Sequence, residues 1–185
     1  MVLRGFSFVV VAGLGVLFLG CGSKSEVKPE SSVAMKVESI AFKEGGEIPL
    51  EYSAYGNNIS PPLSWSGVPE KAESLVLIAD DPDAPSSEPF VHWIVCNIPP
   101  TTSGIAEGQL PENVVMGANG MNRPTYFGPR PPEGTHRYYF RLFALDKLIG
   151  LRPGASRADI EKSMDGHVIA KGILMGTYTA PPKSG

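Results

Sequence analysis

From residue 35 onward, short apolar runs alternate with clusters of proline, glycine and asparagine. That spacing predicts strands joined by turns and ordered loops. Residues 36–42 alternate well enough for an early strand, which Glu44-Gly45-Gly46 ends, and residues 47–55 offer another. Residues 74–79 (Ser-Leu-Val-Leu-Ile-Ala) form a continuous apolar run of the kind a strand covered on both faces shows, and residues 90–98 are similar. The longest β-like stretch is 136–145, aromatic and strongly alternating. A period of two there puts His136, Tyr138, Phe140 and Leu142 on one face. One helix is predicted over 156–164, opened by Ser156 and Asp159, with Gly166 just past its end. Residues 167–178 read as a closing strand, because Gly172 and Gly176 weaken a helix and Tyr178 suits a sheet. The sum is a mainly β domain, a β-sandwich decorated by one or two short helices. The 18 prolines fit long, ordered loops over it.

The first residues follow a different pattern. A short positive start, Met1 to Arg4, leads into an uncharged run over 5–20 that ends in Leu19-Gly20-Cys21-Gly22. Residues 1–20 read as a secretory signal peptide. A cysteine directly after the small residue resembles a lipobox, whose Cys21 becomes the lipidated N-terminus. The alternative is an uncleaved membrane-spanning anchor, since the run approaches the roughly 20 residues a span needs. Both place the domain in the cell envelope, on the periplasmic or extracellular face of a bacterial membrane. Residues 21–34 are polar and have linker composition, and residues 35–185 form the domain. Of the two cysteines, lipidation would use Cys21, and Cys96 lies within an apolar run, which predicts a buried and inert thiol.

The chain of 185 residues carries a formal charge of −3, with its basic residues scattered. No concentrated basic face is present, so no nucleic-acid partner is expected. Two segments at strand ends carry unusual chemistry. In the first, Asp80-Asp81-Pro82-Asp83-Ala84-Pro85 follows an apolar strand and precedes His92, which opens the next one. If those strands are neighbours, Asp81 or Asp83 comes within hydrogen-bonding reach of His92. In the second, the rigid loop Gly128-Pro-Arg-Pro-Pro-Glu-Gly134 delivers His136 and Tyr138 on one face. Its glycines let backbone N–H groups approach a ligand closely, as in an anion nest. Read without function, the same residues are an ordinary Asp-Pro-Asp turn, a strand-end histidine and a stiff connector.

The two segments resemble the signature regions of the phosphatidylethanolamine-binding family, in its bacterial Raf kinase inhibitor-like branch. They are Asp81-Pro-Asp-Ala-Pro85 with His92-Trp93, and Gly128 to Tyr138. Flanking matches run through Asn58-Ile-Ser-Pro-Pro-Leu-Ser-Trp65 and Met164-Asp-Gly-His-Val-Ile-Ala170. The resemblance implies two antiparallel sheets and a small pocket for phosphate-like anions. Carried across by position, that pocket contains Asp81, Asp83, Pro85, His92, Gly128, Pro131, Pro132, His136 and Tyr138. A carboxylate beside an imidazole favours its charged form, so Asp81 or Asp83 is expected to keep His92 or His136 protonated. Unpaired carboxylates would repel an anion, so they must be occupied by histidine, arginine or backbone donors, with Arg137 as one buried partner. The expected partner is a small anionic or phosphorylated ligand, bound without turnover, with no cofactor and no metal. The alternatives are an envelope protein-interaction module, with an unidentified protein partner, and an enzyme acting on phosphoesters.

Overall fold

The computed structural model describes residues 33–182. The signal peptide, Cys21 and nearly all of the linker therefore lie outside the described residues. Nine strands run in chain order: β1 (Val33–Ala34), β2 (Lys36–Glu38), β3 (Leu63–Ser66), β4 (Ser74–Asp81), β5 (Phe90–Ile98), β6 (Gly104–Ile105), β7 (Val115–Met116), β8 (Thr135–Leu145) and β9 (Val168–Thr179). One α-helix among the described residues, α1 (Arg157–Met164), precedes β9. The strands form a six-stranded sheet, ordered β1-β9-β8-β4-β5-β7, and a three-stranded sheet, ordered β2-β3-β6. Pairing is antiparallel throughout except at the edge, where the two residues of β1 run parallel to β9.

The apolar run that opens β4 is explained by its position in the middle of the larger sheet. Every β4 residue is buried. Leu75, Leu77 and Ala79 face the smaller sheet, in a core shared with Trp65, Trp93, Val95, Phe140, Leu142 and Leu174. Val76 and Ile78 face the other way, onto Ile94, Ile149, Ile160 and Met164 beneath α1. Each fully buried Leu or Ile contributes roughly 2 kcal/mol relative to exposure, which fixes the register of β4 on both faces at once. In β8 the predicted face is observed: His136, Tyr138, Phe140, Leu142 and Ala144 are buried on alternate positions.

Helix α1 starts as its sequence requires. Ser156 Oγ accepts from the Asp159 N–H at 3.2 Å, and donates to the Asp159 carboxylate at 2.7 Å. Gly166 beyond it adopts φ 74°. Residues 168–179 are strand, as expected. Gly172 is required there, because a Cβ would lie 2.5 Å from the Met35 carbonyl oxygen.

Two expectations are corrected. Residues 47–55 do not form a strand: Glu47 bridges Thr177, then Leu50–Tyr52 close a 3₁₀ turn in which Ser53 Oγ donates to the Leu50 carbonyl. The early strand stops at Glu38, because Ser39 Oγ donates to the Pro62 carbonyl and accepts from the Ala41 N–H, diverting the chain.

Candidate functional site

The last two residues of β4 point to opposite faces of the sheet. Asp80, 1% exposed, lies on the α1 side. It accepts from Arg141 Nε at 3.1 Å and from Arg157 Nη1 at 3.0 Å. Asp81 faces the other side and accepts from His136 Nδ1 at 2.7 Å. The ladder explains that contact. Asp80 pairs with Tyr139, so Asp81 comes opposite Tyr138 and reaches His136 on the diagonal, two residues along the same face. The other oxygen of Asp81 accepts from the Asp83 N–H at 2.8 Å, closing the Asp-Pro-Asp turn. Asp83 is gripped by Arg137: Nε at 2.9 Å, Nη2 at 2.6 Å and the backbone N–H at 2.9 Å. That fork holds the Asp83 carboxyl down to about 2, against a smaller opposing effect of burial.

His92 reaches the same side by a break in regularity. Ala79 pairs with Trp93, but the next residue, Asp80, pairs with Val91. His92 is therefore the extra residue of a β-bulge. Val91 and Ile94 face α1 and Trp93 faces the smaller sheet. Uninterrupted alternation would have sent His92 to the α1 side, and the bulge turns it back. Once there, its Nδ1–H donates to the Phe127 carbonyl at 2.6 Å, while the Phe127 N–H donates to the His92 carbonyl at 2.9 Å. The rings of Phe90, Phe127 and Tyr138 surround it, at centroid distances of 4.9, 5.9 and 5.1 Å. Burial pushes the His92 pKa below its ordinary value, outweighing the Phe127 carbonyl and the charge of Asp81.

Three expectations change at this point. Asp81 pairs with His136 and not with His92, whose Nδ1 goes to a backbone carbonyl. His92 is also not held protonated, because desolvation dominates its environment. Arg137 is a carboxylate partner, but an exposed one, with 52% of its side chain accessible.

The Gly/Pro loop is built inward. A Cβ on Gly128 would lie 2.2 Å from the Tyr52 carbonyl oxygen, so glycine permits the loop to pack on residues 52–54. The Gly128 N–H donates to Asn58 Oδ1 at 2.7 Å, the Ala54 N–H donates to the Pro129 carbonyl, and Tyr55 Oη donates to the Pro131 carbonyl. The expected ligand-facing role of the Gly128 N–H gives way to this internal bracing.

A cavity of about 270 Å³ opens between these elements. It is lined by Asp81, Ala84, Pro85, Phe90, His92, Met121, Phe127, Arg130, Pro132 and His136. Of the residues expected in a pocket, Asp81, Pro85, His92, Pro132 and His136 form its wall. Asp83, Gly128, Pro131 and Tyr138 are not among its lining residues. The Tyr138 hydroxyl is buried beside Asp81 without a hydrogen bond of good geometry, and burial followed by that charge raises its pKa. Sequence reasoning missed Phe90, Phe127 and Met121. The aromatic residues flank His92 and Gly128 in the chain, which was an available signal, whereas Met121 arrives from a loop without one. Both histidines use Nδ1 within the protein, and both rings line the cavity. Among the described residues no cluster of three or more His, Cys, Asp or Glu side chains is arranged to hold a metal. Cys96 is buried, and desolvation pushes its thiol up to about 12.

A β-sandwich with a small polar-and-aromatic cavity at its strand ends is the layout of a ligand-binding domain. The sequence profile of the phosphatidylethanolamine-binding protein family matches residues 38–179, and the chain belongs to that family. It is 49% identical over 149 residues to the UPF0098 protein of Methanothermobacter thermautotrophicus, covering 78% of this chain and 98% of that one. Among solved structures it is similar to a phosphatidylethanolamine-binding protein homolog of Chlamydia trachomatis, with 45% identity and a TM-score of 0.76 over 81% of this chain and 100% of the other. It is also similar to Escherichia coli YbcL, described as a member of the mammalian family. Identity there is 30% and the TM-score 0.75, over 80% of this chain and 99% of the other.

Proposed function

We propose that this domain binds a phosphate-like anion or a phosphorylated headgroup in the two-histidine cavity, without turning it over, while a lipid on Cys21 holds it at an envelope membrane. One observation carries the anion reading: two imidazole rings line one small cavity whose neighbouring carboxylates are already engaged. Asp81 is taken by His136 and a backbone N–H, and Asp83 by Arg137. Neither carboxylate is left bare to repel a ligand. His136 Nε2 donates to a phosphoryl oxygen when the ring carries both protons, its Nδ1 being held by Asp81. Neutral His92 offers Nε2 as an acceptor to a protonated phosphoryl oxygen, or takes up a proton as the anion enters.

Isothermal calorimetry with inorganic phosphate tests this reading. His136→Ala is expected to lower affinity by about tenfold or more, the worth of one charge-assisted hydrogen bond. Unchanged affinity in that variant rejects the assignment. The described cysteine, Cys96, packs on the α1 side of the sheet and outside the cavity lining, so it offers a bound ligand no nucleophile. Hydrolysis of a phosphoester panel by the wild type but not by His92→Ala would replace the binding reading with catalysis.

A further inference from the structure

Beside the two-histidine cavity lies a larger one, of about 590 Å³. The two share Met121 and Phe127, which form the ridge between them. The larger cavity is lined by the apolar side chains of Ile59, Leu110 and Met116 and the rings of Trp93, Tyr126 and Phe127, with uncharged polar residues such as Asn58 and Gln109 among them. No carboxylate is among its lining residues, and its one cation, Arg123, makes no ion pair among the described residues. The loop carrying the ridge is held firmly. Buried Asn119 accepts from the N–H groups of Met121 and Arg123, and its amide donates to the Thr125 carbonyl. Gly120 lies so close to the Phe90 ring that a Cβ would sit 2.5 Å from it, which seats the loop on the wall of the smaller cavity.

Size decides how the two work together. Ligand pockets usually span about 300–1,000 Å³, so the smaller cavity suits a headgroup and the larger a body. We infer that the larger cavity is a second subsite, which takes the aromatic body of a phosphomonoester whose phosphoryl end sits between His92 and His136. This rests on the anion reading above. The aromatic class follows from the walls: Tyr126 and Phe127 offer rings, Met116 and Met121 offer polarisable sulfur at their edges, and Arg123 is free to stack. The ester oxygen crosses the ridge over Met121 and Phe127.

The test compares inorganic phosphate, 1-naphthyl phosphate and octyl phosphate by calorimetry on the wild type and on Leu110→Glu. Leu110 is 45% exposed and remote from the histidines' hydrogen bonds, so the variant is expected to fold. The naphthyl ester is expected to bind on the order of 30-fold tighter than phosphate, a fraction of full aromatic burial. Leu110→Glu is expected to remove most of that gain and leave phosphate affinity within about twofold, since only the larger cavity acquires a charge. A naphthyl ester that binds no tighter than phosphate, or a gain that survives Leu110→Glu, overturns the inference while the headgroup reading stands. An octyl ester that gains as much as the naphthyl ester overturns the aromatic assignment. Absence of any phosphate binding to the wild type overturns both readings together.

Discussion

His92 donates its Nδ1–H to a main-chain carbonyl inside a shell of three aromatic rings, so charging the ring means charging a desolvated group. Its pKa in the free protein lies below the ordinary 6.5. An anion beside Nε2 stabilises the protonated ring and raises that pKa, so binding and proton uptake are linked. The sign follows: affinity rises as pH falls below the pKa of the bound state, and levels off once the free-state pKa is passed. Sulfate is the right probe because its own charge is constant over this range. Its affinity is expected to grow toward about tenfold per pH unit for one proton, and His92→Gln is expected to lose the slope that His92 contributes. A wild-type affinity independent of pH between 7.5 and 5 would show that His92 takes up no proton when the anion binds.

At the level of elements, Asp80 ties α1 to the sheet. One buried carboxylate receives Arg141 from β8 and Arg157 from the first turn of the helix, and Arg157 also reaches Glu161 one turn on. Asp80→Asn is expected to destabilise the domain by about 2 kcal/mol, below the usual cost of breaking a fully buried pair because both arginines are 28% exposed. Urea unfolding measures this, and a midpoint equal to wild type would mean that the arginines are satisfied by solvent. The long elements were legible in the sequence because burial repeats along them: β4, β5, β8, α1 and β9 each present a period or an unbroken apolar run. The short strands β6 and β7 have two residues each, too few for a period, and their pairing is set by neighbours distant in the chain. The site was legible in the same uneven way. Regular alternation along β8 put His136 and Tyr138 together, but which aspartate meets which histidine depends on register and on a bulge, and neither is written in local sequence.

On the scale of the whole molecule, the proposed address and the pocket lie in different parts of the sequence. The family match begins at residue 38, and the methanogen relative aligns over 78% of this chain, yet 98% of its own length. Residues 1–37, where the proposed leader and linker lie, fall outside the family match. Mass spectrometry of the envelope-purified protein is expected to find a mature chain beginning at a lipid-modified Cys21. An unmodified chain still starting at Met1 would refute the anchor, and Cys21→Ser is expected to release the domain from membranes without changing phosphate affinity. The bulge at His92 has a consequence of another kind. Val91 already faces as a residue directly before Trp93 in an unbroken ladder would, so excising His92 restores a regular strand. Deletion of that residue is expected to leave a domain that still melts cooperatively by circular dichroism and no longer binds phosphate. Loss of cooperative melting would show that the bulge is structural. In an ancestral sandwich, acquiring this half of the site would have required a single-codon insertion rather than a rebuilt scaffold, and one lost codon would erase it.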